Sequence, residues 1–268
     1  MIDPTGRVSF DRAAEYYDQT RALPADALEG VVEVLSGELA GRGRCLEIGV
    51  GTGRIALPLA TAGVPMAGID VSAAMVSRLV AKAGGSSPFP IALADATRLP
   101  FRNGLFGATL CVHVLHLIPQ WEAAVDELLR VVRPGGVLLV DLGGPDDPVT
   151  RQVEDRFGAT AGIVAERRPG LSRDRTPELD ARLAAAGCGS RFLEPVPVTR
   201  EAALAEHIDR LEQGHYSWTW GIEDDARRRA ADDVRTWASA EIGPLDVPLR
   251  RSGEIRYRAY DVPDRRSG

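Results

Sequence analysis

Short apolar runs alternate with amphipathic segments through the middle of the chain, from residue 44 to residue 142. A short apolar run is typical of a buried strand, whereas apolar residues that recur every three or four positions are typical of a helix with one buried face. Strands that alternate with helices in this way predict a parallel sheet assembled from strand–helix–strand units. The predicted strands are 44–49, 65–70, 89–94, 108–114 and 137–141.

The segments on either side of this region have patterns of their own. Residues 10–40 show helical spacing, which predicts one or two helices before the first strand. After the fifth strand we predict a helix to about Glu166, and another that begins with Thr176 as its cap residue. The run Arg191–Val198 reads as a strand with two prolines, and proline has no N–H to donate, so this strand belongs at a sheet edge.

The last third of the chain is predicted to be mainly helical. Helices are expected over residues 200–213 and 223–242, with apolar residues on one face of the second. Apolar residues then alternate with polar ones over 255–260, which is typical of a strand.

The first predicted strand runs directly into three glycines at alternate positions, Gly49, Gly51 and Gly53. Glycine has no Cβ, so the chain can turn tightly and a ligand can approach the backbone closely. The spacing does not fit a dinucleotide fingerprint, whose third glycine would fall at Arg54. A P-loop is excluded as well, because it needs a lysine after its last glycine and the only lysine is Lys82.

The stretch Glu47–Gly53 reads E-x-G-x-G-x-G and resembles motif I of class I S-adenosylmethionine (SAM)-dependent methyltransferases. Leu128–Gly136 is similar to the segment that precedes strand five in that family, and Asp95 with Leu99–Phe101 is similar to its segment after strand three. The resemblance covers residues 10–142 and is strongest over 44–141. The branch it is most similar to is the small-molecule branch, which includes the quinone-biosynthesis type.

This resemblance implies a fold, a cofactor and a reaction. The fold is a doubly wound α/β sheet of seven mainly parallel strands in the order 3-2-1-4-5-7-6. Arg191–Val198 would be strand six, and 255–260 the antiparallel strand seven. The cofactor would be SAM, the product S-adenosylhomocysteine, and the acceptor a small molecule.

The implied domain organisation has three parts. Residues 1–40 would form lid helices, residues 41–199 with 251–262 the SAM-binding domain, and residues 200–250 a helical cap insertion.

The residues expected to bind the cofactor follow the strand ends. Gly49, Gly51 and Gly53 would cradle the methionine part of SAM, although a tight packing turn would have the same composition. Glu47, at the end of strand one, would receive the ammonium group directly or through water. Asp70 ends strand two, where an acid can accept both ribose hydroxyls.

Alternatives remain open for the acids and their neighbours. A helix cap would also explain Asp70, although Ser72 could do that instead. Met75 would pack against adenine or fill the core. Asp95 and the backbone of Ala96 would contact adenine, and a turn aspartate is the alternative.

In the same family, a Tyr and an Arg of the N-terminal lid helix often reach the methionine end of SAM. The matching residues here are Tyr17 and Arg21. Core packing for Tyr17 and a solvated position for Arg21 are the structural alternatives.

Two of the four histidines, His113 and His116, lie at the predicted end of strand four, which would face the transferable methyl group. Histidine titrates in the range that a general base needs, and oxygen acceptors often need one. Both are therefore candidate catalytic residues, with hydrogen-bonded structural histidine as the alternative. His207 is expected to pack in a core, and the aromatic loop His215–Trp220 lines either an acceptor pocket or the core of the inserted helices.

The composition limits the classes of partner that the protein is expected to bind. Lys plus Arg is 32 and Asp plus Glu is 38, so the formal charge is −6, which makes nucleic-acid binding a poor expectation. No apolar stretch reaches the length of a membrane span and no signal peptide is indicated, so the expected location is the cytoplasm. The three cysteines are scattered, which indicates neither a disulfide framework nor a zinc site.

A metal-dependent enzyme is disfavoured, since Asp141, Asp146 and Asp147 are its only indication and loops often carry such acids. The sequence leaves the acceptor, the methylated element and the oligomeric state open. A SAM-binding fold with a non-methylating role, such as a lyase, a cyclase or a ligand sensor, is the alternative function.

Overall fold

The computed structural model describes residues 9–141, 147–163, 170–171 and 175–264. Within them the chain forms two compact units. The first contains residues 9–141, 170–171, 175–196 and 255–264, and the second contains residues 147–163 and 197–254. Helix 148–160 thus belongs to the second unit, whereas the sequence had grouped it with the SAM-binding domain.

The described strands, in chain order, are β1 (Cys45–Ile48), β2 (Met66–Asp70), β3 (Ile91–Leu93), β4 (Phe106–Val112), β5 (Val132–Asp141), β6 (Gly189–Phe192), β7 (Val196–Ala203), β8 (Pro248–Ile255) and β9 (Arg258–Asp261). The α-helices are α1 (Tyr17–Arg21), α2 (Ala25–Leu39), α3 (Ala56–Thr61), α4 (Ala73–Lys82), α5 (Trp121–Val131), α6 (Pro148–Thr160), α7 (Thr176–Ala185), α8 (Leu204–Glu212) and α9 (Asp224–Glu241).

The first unit is built on one seven-stranded sheet in the order β3-β2-β1-β4-β5-β9-β6. β1 pairs in parallel with both β2 and β4, while β9 runs antiparallel between β5 and β6. Every residue of β1 and β4 is buried, as expected for strands covered by helices on both faces. The predicted doubly wound α/β fold and its strand order are confirmed, with β9 in the place of strand seven.

This topology determines where a ligand can bind. The carboxyl ends of the parallel strands meet at one edge of the sheet, and the strand order reverses between β1 and β4. Open α/β sheets bind ligands in the crevice at that reversal. The glycines after β1 lie there.

Two predicted strands have different bounds in the structure. The strand predicted over 191–198 is divided in the structure. β6 ends at Phe192 and lies at the sheet edge as expected, whereas Pro197 lies in β7, a strand of another sheet. The strand predicted over 255–260 also divides, because Ile255 ends β8 and β9 begins at Arg258. Ile255 and Tyr257 are nevertheless both buried, so an unbroken burial pattern concealed the break from the sequence.

One predicted helix start differs in detail. Thr176 is the first helical residue and not the cap of α7, since Arg175 occupies the cap position without a side-chain cap bond. In the segment that resembles the one before strand five of the family, α5 ends at Val131 and Arg133–Gly136 already belong to β5. The pairing register of β4 with β5 shifts between Phe106 and Ala108 to accommodate this segment.

The second unit has its own core and its own sheet. α6, α8 and α9 bury a cluster that includes Phe157, Ile208, Leu211 and Val234. β7 and β8 form a two-stranded sheet. The helices predicted over 200–213 and 223–242 correspond to α8 and α9, but the two strands were not expected. Of the predicted helix to Glu166, the described part ends at Thr160, and Glu166 lies outside the described residues.

No helix among the described residues has the length and apolar character that crossing a membrane requires.

Candidate active site

The turn after β1 uses its three glycines in two different ways. All three have positive φ, at 63° for Gly49, 55° for Gly51 and 76° for Gly53, a region that favours glycine. A Cβ on Gly49 would lie 2.5 Å from Val114 Cγ2, and one on Gly53 would lie 2.7 Å from Leu57 Cγ. Gly49 and Gly51 line a cleft at the sheet edge, whereas Gly53 does not and serves close packing.

Asp70 joins the glycine turn to the end of β2. Its Oδ2 accepts the Gly51 N–H at 2.8 Å, and its Oδ1 accepts the Ser72 N–H at 2.8 Å. Burial raises the pKa of Asp70, and the two N–H bonds oppose that rise. Each carboxylate oxygen keeps acceptor capacity beyond these bonds, so Asp70 can both fix the turn and accept ligand hydroxyls.

The helix cap at this position is provided by Ser72. Its Oγ accepts the N–H of Met75 at 3.1 Å, so α4 begins with a side-chain cap. The capping role that was the alternative for Asp70 thus belongs to Ser72. Met75 is 3% exposed and also lines the cleft, where its Cε would lie 3.2 Å from a Cβ on Gly51.

Asp95 follows β3 and lines the same cleft as Asp70, together with Ala94, Ala96 and Thr97. Its Oδ1 accepts the Thr97 N–H at 2.9 Å, which is the geometry of a turn aspartate. The structure thus brings Asp70 and Asp95 to one side of the molecule, at the ends of neighbouring strands.

Glu47 is buried beneath the glycine turn, at 3% exposure, and its Oε2 has no hydrogen-bond partner in the described structure. The pKa of Glu47 is raised to about 8. Burial is the main cause, and within that net value the charge of Arg54 acts to lower the pKa and the charge of Asp70 acts to raise it. Glu47 lines a narrow lobe beside the main cleft with Tyr17 and Arg54. An unpartnered buried carboxyl oxygen is costly, and a ligand donor would satisfy it.

The N-terminal segment is held against this site by two aspartates. Asp11 Oδ1 accepts the Ser72 hydroxyl at 2.6 Å. Asp18 Oδ1 accepts the Thr52 hydroxyl at 2.6 Å, and its Oδ2 lies 3.0 Å from Lys82 Nζ. The segment therefore contacts both the glycine turn and α4.

Of the two ligand candidates on this segment, only Tyr17 reaches the cleft. It lines both the cleft and the lobe, and its ring packs edge-on against Phe10 at 5.8 Å between centroids. The Arg21 side chain is not among the cleft-lining groups, and its carbonyl accepts a bond from Arg54 Nη1 at 3.2 Å. Phe10 was not identified from the sequence as a lining residue.

The opposite wall of the cleft comes from the segment after β4 and includes His113. The predicted strand 108–114 ends earlier, at Val112, and His113 has φ 52°, the only positive φ of a non-glycine residue that the structure describes. Its N–H donates to Asp141 O at 3.2 Å, and its Nε2 lies 3.3 Å from Asp141 Oδ2. The rest of this wall is mostly apolar and consists of Val112, Val114, Leu117, Ile118, Pro119 and Gln120.

The pairing of His113 with Asp141 was missed by sequence reasoning. Asp141 is 3% exposed and ends β5, next to the end of β4. The signal was present, because both residues come at the carboxyl ends of strands that are neighbours in the implied order.

The remaining histidines lie away from the cleft lining. His116 is in a short 3-10 segment, and its carbonyl accepts the Gly170 N–H at 3.1 Å. His207 is buried in the second unit, where its Nδ1 lies 2.9 Å from the Tyr216 hydroxyl. Tyr216 and Trp218 of the aromatic loop belong to that unit's core, as one of the two alternatives proposed.

Within the described residues, no group of three His, Cys, Asp or Glu side chains is placed to hold a metal ion. Asp147 caps α6 by accepting the Val149 N–H at 3.1 Å. Asp146 lies outside the described residues.

The chemistry of this cleft fits one cofactor class. SAM presents an ammonium group, a ribose diol, an adenine and a sulfonium. The cleft supplies acceptors on Asp70 and Asp95 and is lined by the Gly49–Gly51 turn, and the neighbouring lobe supplies a buried unpartnered oxygen on Glu47. A sheet of this order with this cleft is the arrangement expected of a class I SAM-dependent methyltransferase.

Comparison with known proteins gives the same class. Residues 46–140 match the family described as Methyltransferase domain. Malonyl-[acyl-carrier protein] O-methyltransferase of Geobacter sulfurreducens is 29% identical over 258 residues, which are 90% of this chain and 93% of that protein. Demethylmenaquinone methyltransferase of Clavibacter sepedonicus is 30% identical over 158 residues, which are 57% of this chain and 64% of that protein.

The fold is found among solved structures as well. A Bacillus halodurans C-125 protein assigned as a methyltransferase has a TM-score of 0.59 and 17% identity, over 88% of this chain and 98% of that one. At this identity the likeness concerns the fold alone. Residues 46–140 belong to the Methyltransferase domain family, and the chain is a SAM-dependent methyltransferase.

Proposed function

We propose that this enzyme transfers the methyl group of SAM to a small-molecule acceptor by in-line displacement. The observation that carries the proposal is that Gly51, Asp70, Asp95 and His113 all line one cleft. Bound SAM supplies a methyl group on a positively charged sulfur. The acidic net charge of −6 supports a small molecule, since a nucleic-acid acceptor would meet repulsion.

On the cofactor side, each residue contacts a particular part of SAM. Glu47 receives the ammonium group in the narrow lobe, and Asp70 accepts the ribose hydroxyls while it fixes the glycine turn. Asp95 and the backbone of Ala96 contact adenine, with Met75 packed beside it. Tyr17 covers the methionine end.

On the acceptor side, His113 lines the cleft and His116 does not, so the proposal places the acceptor against His113. Positioning the acceptor oxygen, nitrogen or carbon in line with the methyl group supplies much of the rate in a displacement of this kind. The names of the relatives refer to different acceptors, and none of these is transferred to this chain.

The test measures binding of SAM and S-adenosylhomocysteine by calorimetry. Asp70→Ala is expected to weaken binding at least about tenfold, because a charged hydrogen-bond acceptor contributes about 1.5–3 kcal/mol. Asp126→Ala is the matched control, since Asp126 is exposed on α5, pairs with Arg182 and lies outside the cleft. Circular dichroism of both variants establishes that the fold is intact. A wild-type protein that binds neither compound would refute the proposal.

A further inference from the structure

His113 and Asp141 form a pair fixed by two contacts at once. The backbone N–H of His113 donates to the Asp141 carbonyl, and the two side chains meet at 3.3 Å. The carboxylate of Asp141 is 3% exposed, whereas the imidazole is 31% exposed and lines the cleft. A buried acid therefore supports a histidine that solvent and ligands can reach.

The backbone of His113 is held in an unfavourable conformation. A φ of 52° costs a non-glycine residue about 1 kcal/mol or more, and glycine would adopt it more easily. Backbone strain of this kind is concentrated at functional sites, so at a cleft wall it points to a function of the imidazole.

The charge of the cleft restricts what can approach this imidazole. Among the described residues that line the cleft, there is no lysine or arginine. Arg54 lines the neighbouring lobe beside Glu47. With Asp70 and Asp95 engaged by the cofactor, the described surroundings of His113 are the buried Asp141 and the apolar wall over Leu117–Pro119, which suit an uncharged body better than an anion.

We propose that the acceptor is an uncharged molecule with a weakly acidic hydroxyl on an apolar body, and that His113, positioned by Asp141, takes the hydroxyl proton. This inference rests on the proposed methyl transfer and assigns its substrate class. The acceptor oxygen forms the bond to the methyl carbon, and the carbon–sulfur bond breaks with its electron pair left on sulfur. The hydroxyl proton goes to the imidazole.

The role of Asp141 is to position the base. With Nε2–H directed to the Asp141 carboxylate, Nδ1 is the nitrogen that carries the lone pair. The same carboxylate stabilises the imidazolium that forms when the proton arrives. Asp141 does not line the cleft, so it acts through His113.

The first experiment compares hydroxyl acceptors with carboxylates of the same skeleton. The probes are phenol with benzoate, naphthol with naphthoate, and hydroxybiphenyl with biphenyl carboxylate. Each is tested for binding to the S-adenosylhomocysteine-loaded protein and for methylation with SAM. We expect the hydroxyl compound of at least one pair to bind about tenfold more tightly and to be methylated. The substrate class would be overturned by any of three results. These are tighter binding of the carboxylates, methylation of naphthylamine in place of naphthol, and no binding of any of the probes.

The second experiment tests His113 with variants that the backbone can accommodate. His113→Asn and His113→Gly are compatible with φ 52°, and circular dichroism establishes that both variants fold. Hydroxyl methylation is expected to fall about a hundredfold in kcat with little change in KM, the size of a lost general base. Retention of kcat in the folded variants would overturn the role of the imidazole.

Asp141 is tested by a pH profile, which a merely structural role would not move. Asp141→Asn removes the charge beside the imidazole, so the midpoint of the His113 titration and of the rate profile should move to lower pH. Among the described residues, the titratable groups around His113 are Asp141 and, in the lining of the same cleft, Tyr17, Asp70 and Asp95. Tyr257 lies near Asp141.

The chain has only four histidines, so the His113 signal can be assigned in a proton NMR titration by its loss in His113→Asn. An unchanged titration in Asp141→Asn would overturn the positioning role. Calorimetric SAM binding separates this inference from the proposed function. Intact SAM binding with the wrong acceptor preference refutes only the inference, whereas absent SAM binding refutes both.

Discussion

The ionisation of Glu47 differs between the folded and the unfolded chain. Its pKa rises from 4.5 to about 8 because the carboxyl group is buried. Between these two values the unfolded chain loses the proton while the folded protein keeps it, so the free energy of unfolding falls as pH rises through this window. One pKa unit corresponds to about 1.4 kcal/mol, which makes the whole effect a few kcal/mol.

Glu47→Gln removes this dependence. We expect the variant to gain stability relative to wild type as pH rises from about 5 to about 8, measured by urea unfolding at several pH values. Glu206→Gln is the control, since the Glu206 side chain is 57% exposed on α8, and its difference from wild type should stay constant with pH. A pH-independent difference for Glu47→Gln would contradict the explanation.

A comparison of Gly49 with Gly41 distinguishes two reasons why glycine occupies a position, a positive φ and a close contact. Both have positive φ, but a Cβ on Gly49 would lie 2.5 Å from Val114 whereas Gly41 has nothing within 4 Å. Gly41→Ala should cost about 1 kcal/mol from backbone strain alone, and Gly49→Ala should cost about 1–3 kcal/mol more from the clash. Equal losses in denaturant unfolding would show that the close approach to Val114 contributes nothing.

At the residue scale, the spacing of motifs in the sequence identified single site residues. It did not identify which residues pair, such as His113 with Asp141. Asp70 and Asp95 could be placed in one cleft because each directly follows a strand of the predicted sheet. Gly53 and Arg21 were included with the ligand residues, yet the structure places neither in the cleft lining. Motif spacing says which residues share a turn, but the side-chain direction depends on packing against residues such as Leu57, which are set elsewhere in the chain.

Among the elements, α9 depends on one buried cation. Arg227 is 9% exposed, and its guanidinium donates to the carbonyls of Glu212 at 2.9 Å, the last residue of α8, and of Ile222 at 2.6 Å, shortly before α9. Without this donor both carbonyls would be buried with fewer partners. Arg227 therefore joins the end of α8 to the start of α9.

Arg227→Met is expected to destabilise the protein by about 2–4 kcal/mol, because each deprived carbonyl costs about 1–3 kcal/mol. Arg228→Met, at the next position, is the control. The Arg228 side chain is 59% exposed and pairs with the exposed Asp225, so a change within about 0.5 kcal/mol is expected. Thermal unfolding of the two variants would contradict this account if their losses were similar.

The elements of the first unit were more predictable than those of the second. The strands of the parallel sheet are apolar throughout and are separated by amphipathic helices, so their order followed from the family resemblance. β8 alternates between half-buried and exposed positions and carries mostly polar residues. A strand of that kind has no apolar pattern, and its pairing with β7 is a long-range contact that local sequence does not encode.

At the scale of the whole molecule, each of the two units has a separate apolar core. Phe157 is fully buried in the core of the second unit. Phe157→Ala should cost about 3–5 kcal/mol and should raise hydrogen exchange in α8 and α9. Calorimetric SAM binding, whose proposed residues all lie in the first unit, should persist. Loss of SAM binding in this variant at a temperature where it remains folded would contradict the proposed assignment of the cofactor to the first unit.

The ion pair between Lys82 and Asp18 allows the position of the N-terminal segment to be followed by a label on Lys82. Lys82 is the only lysine in the sequence, and its ammonium is 3.0 Å from the Asp18 carboxylate on the N-terminal segment. Reductive methylation with isotope-labelled formaldehyde would therefore place one side-chain label beside that contact, distinguishable from the terminal amine. Its NMR resonance should shift in Asp18→Asn and should respond when SAM is added, so that the seating of the N-terminal segment can be followed in solution by a single peak.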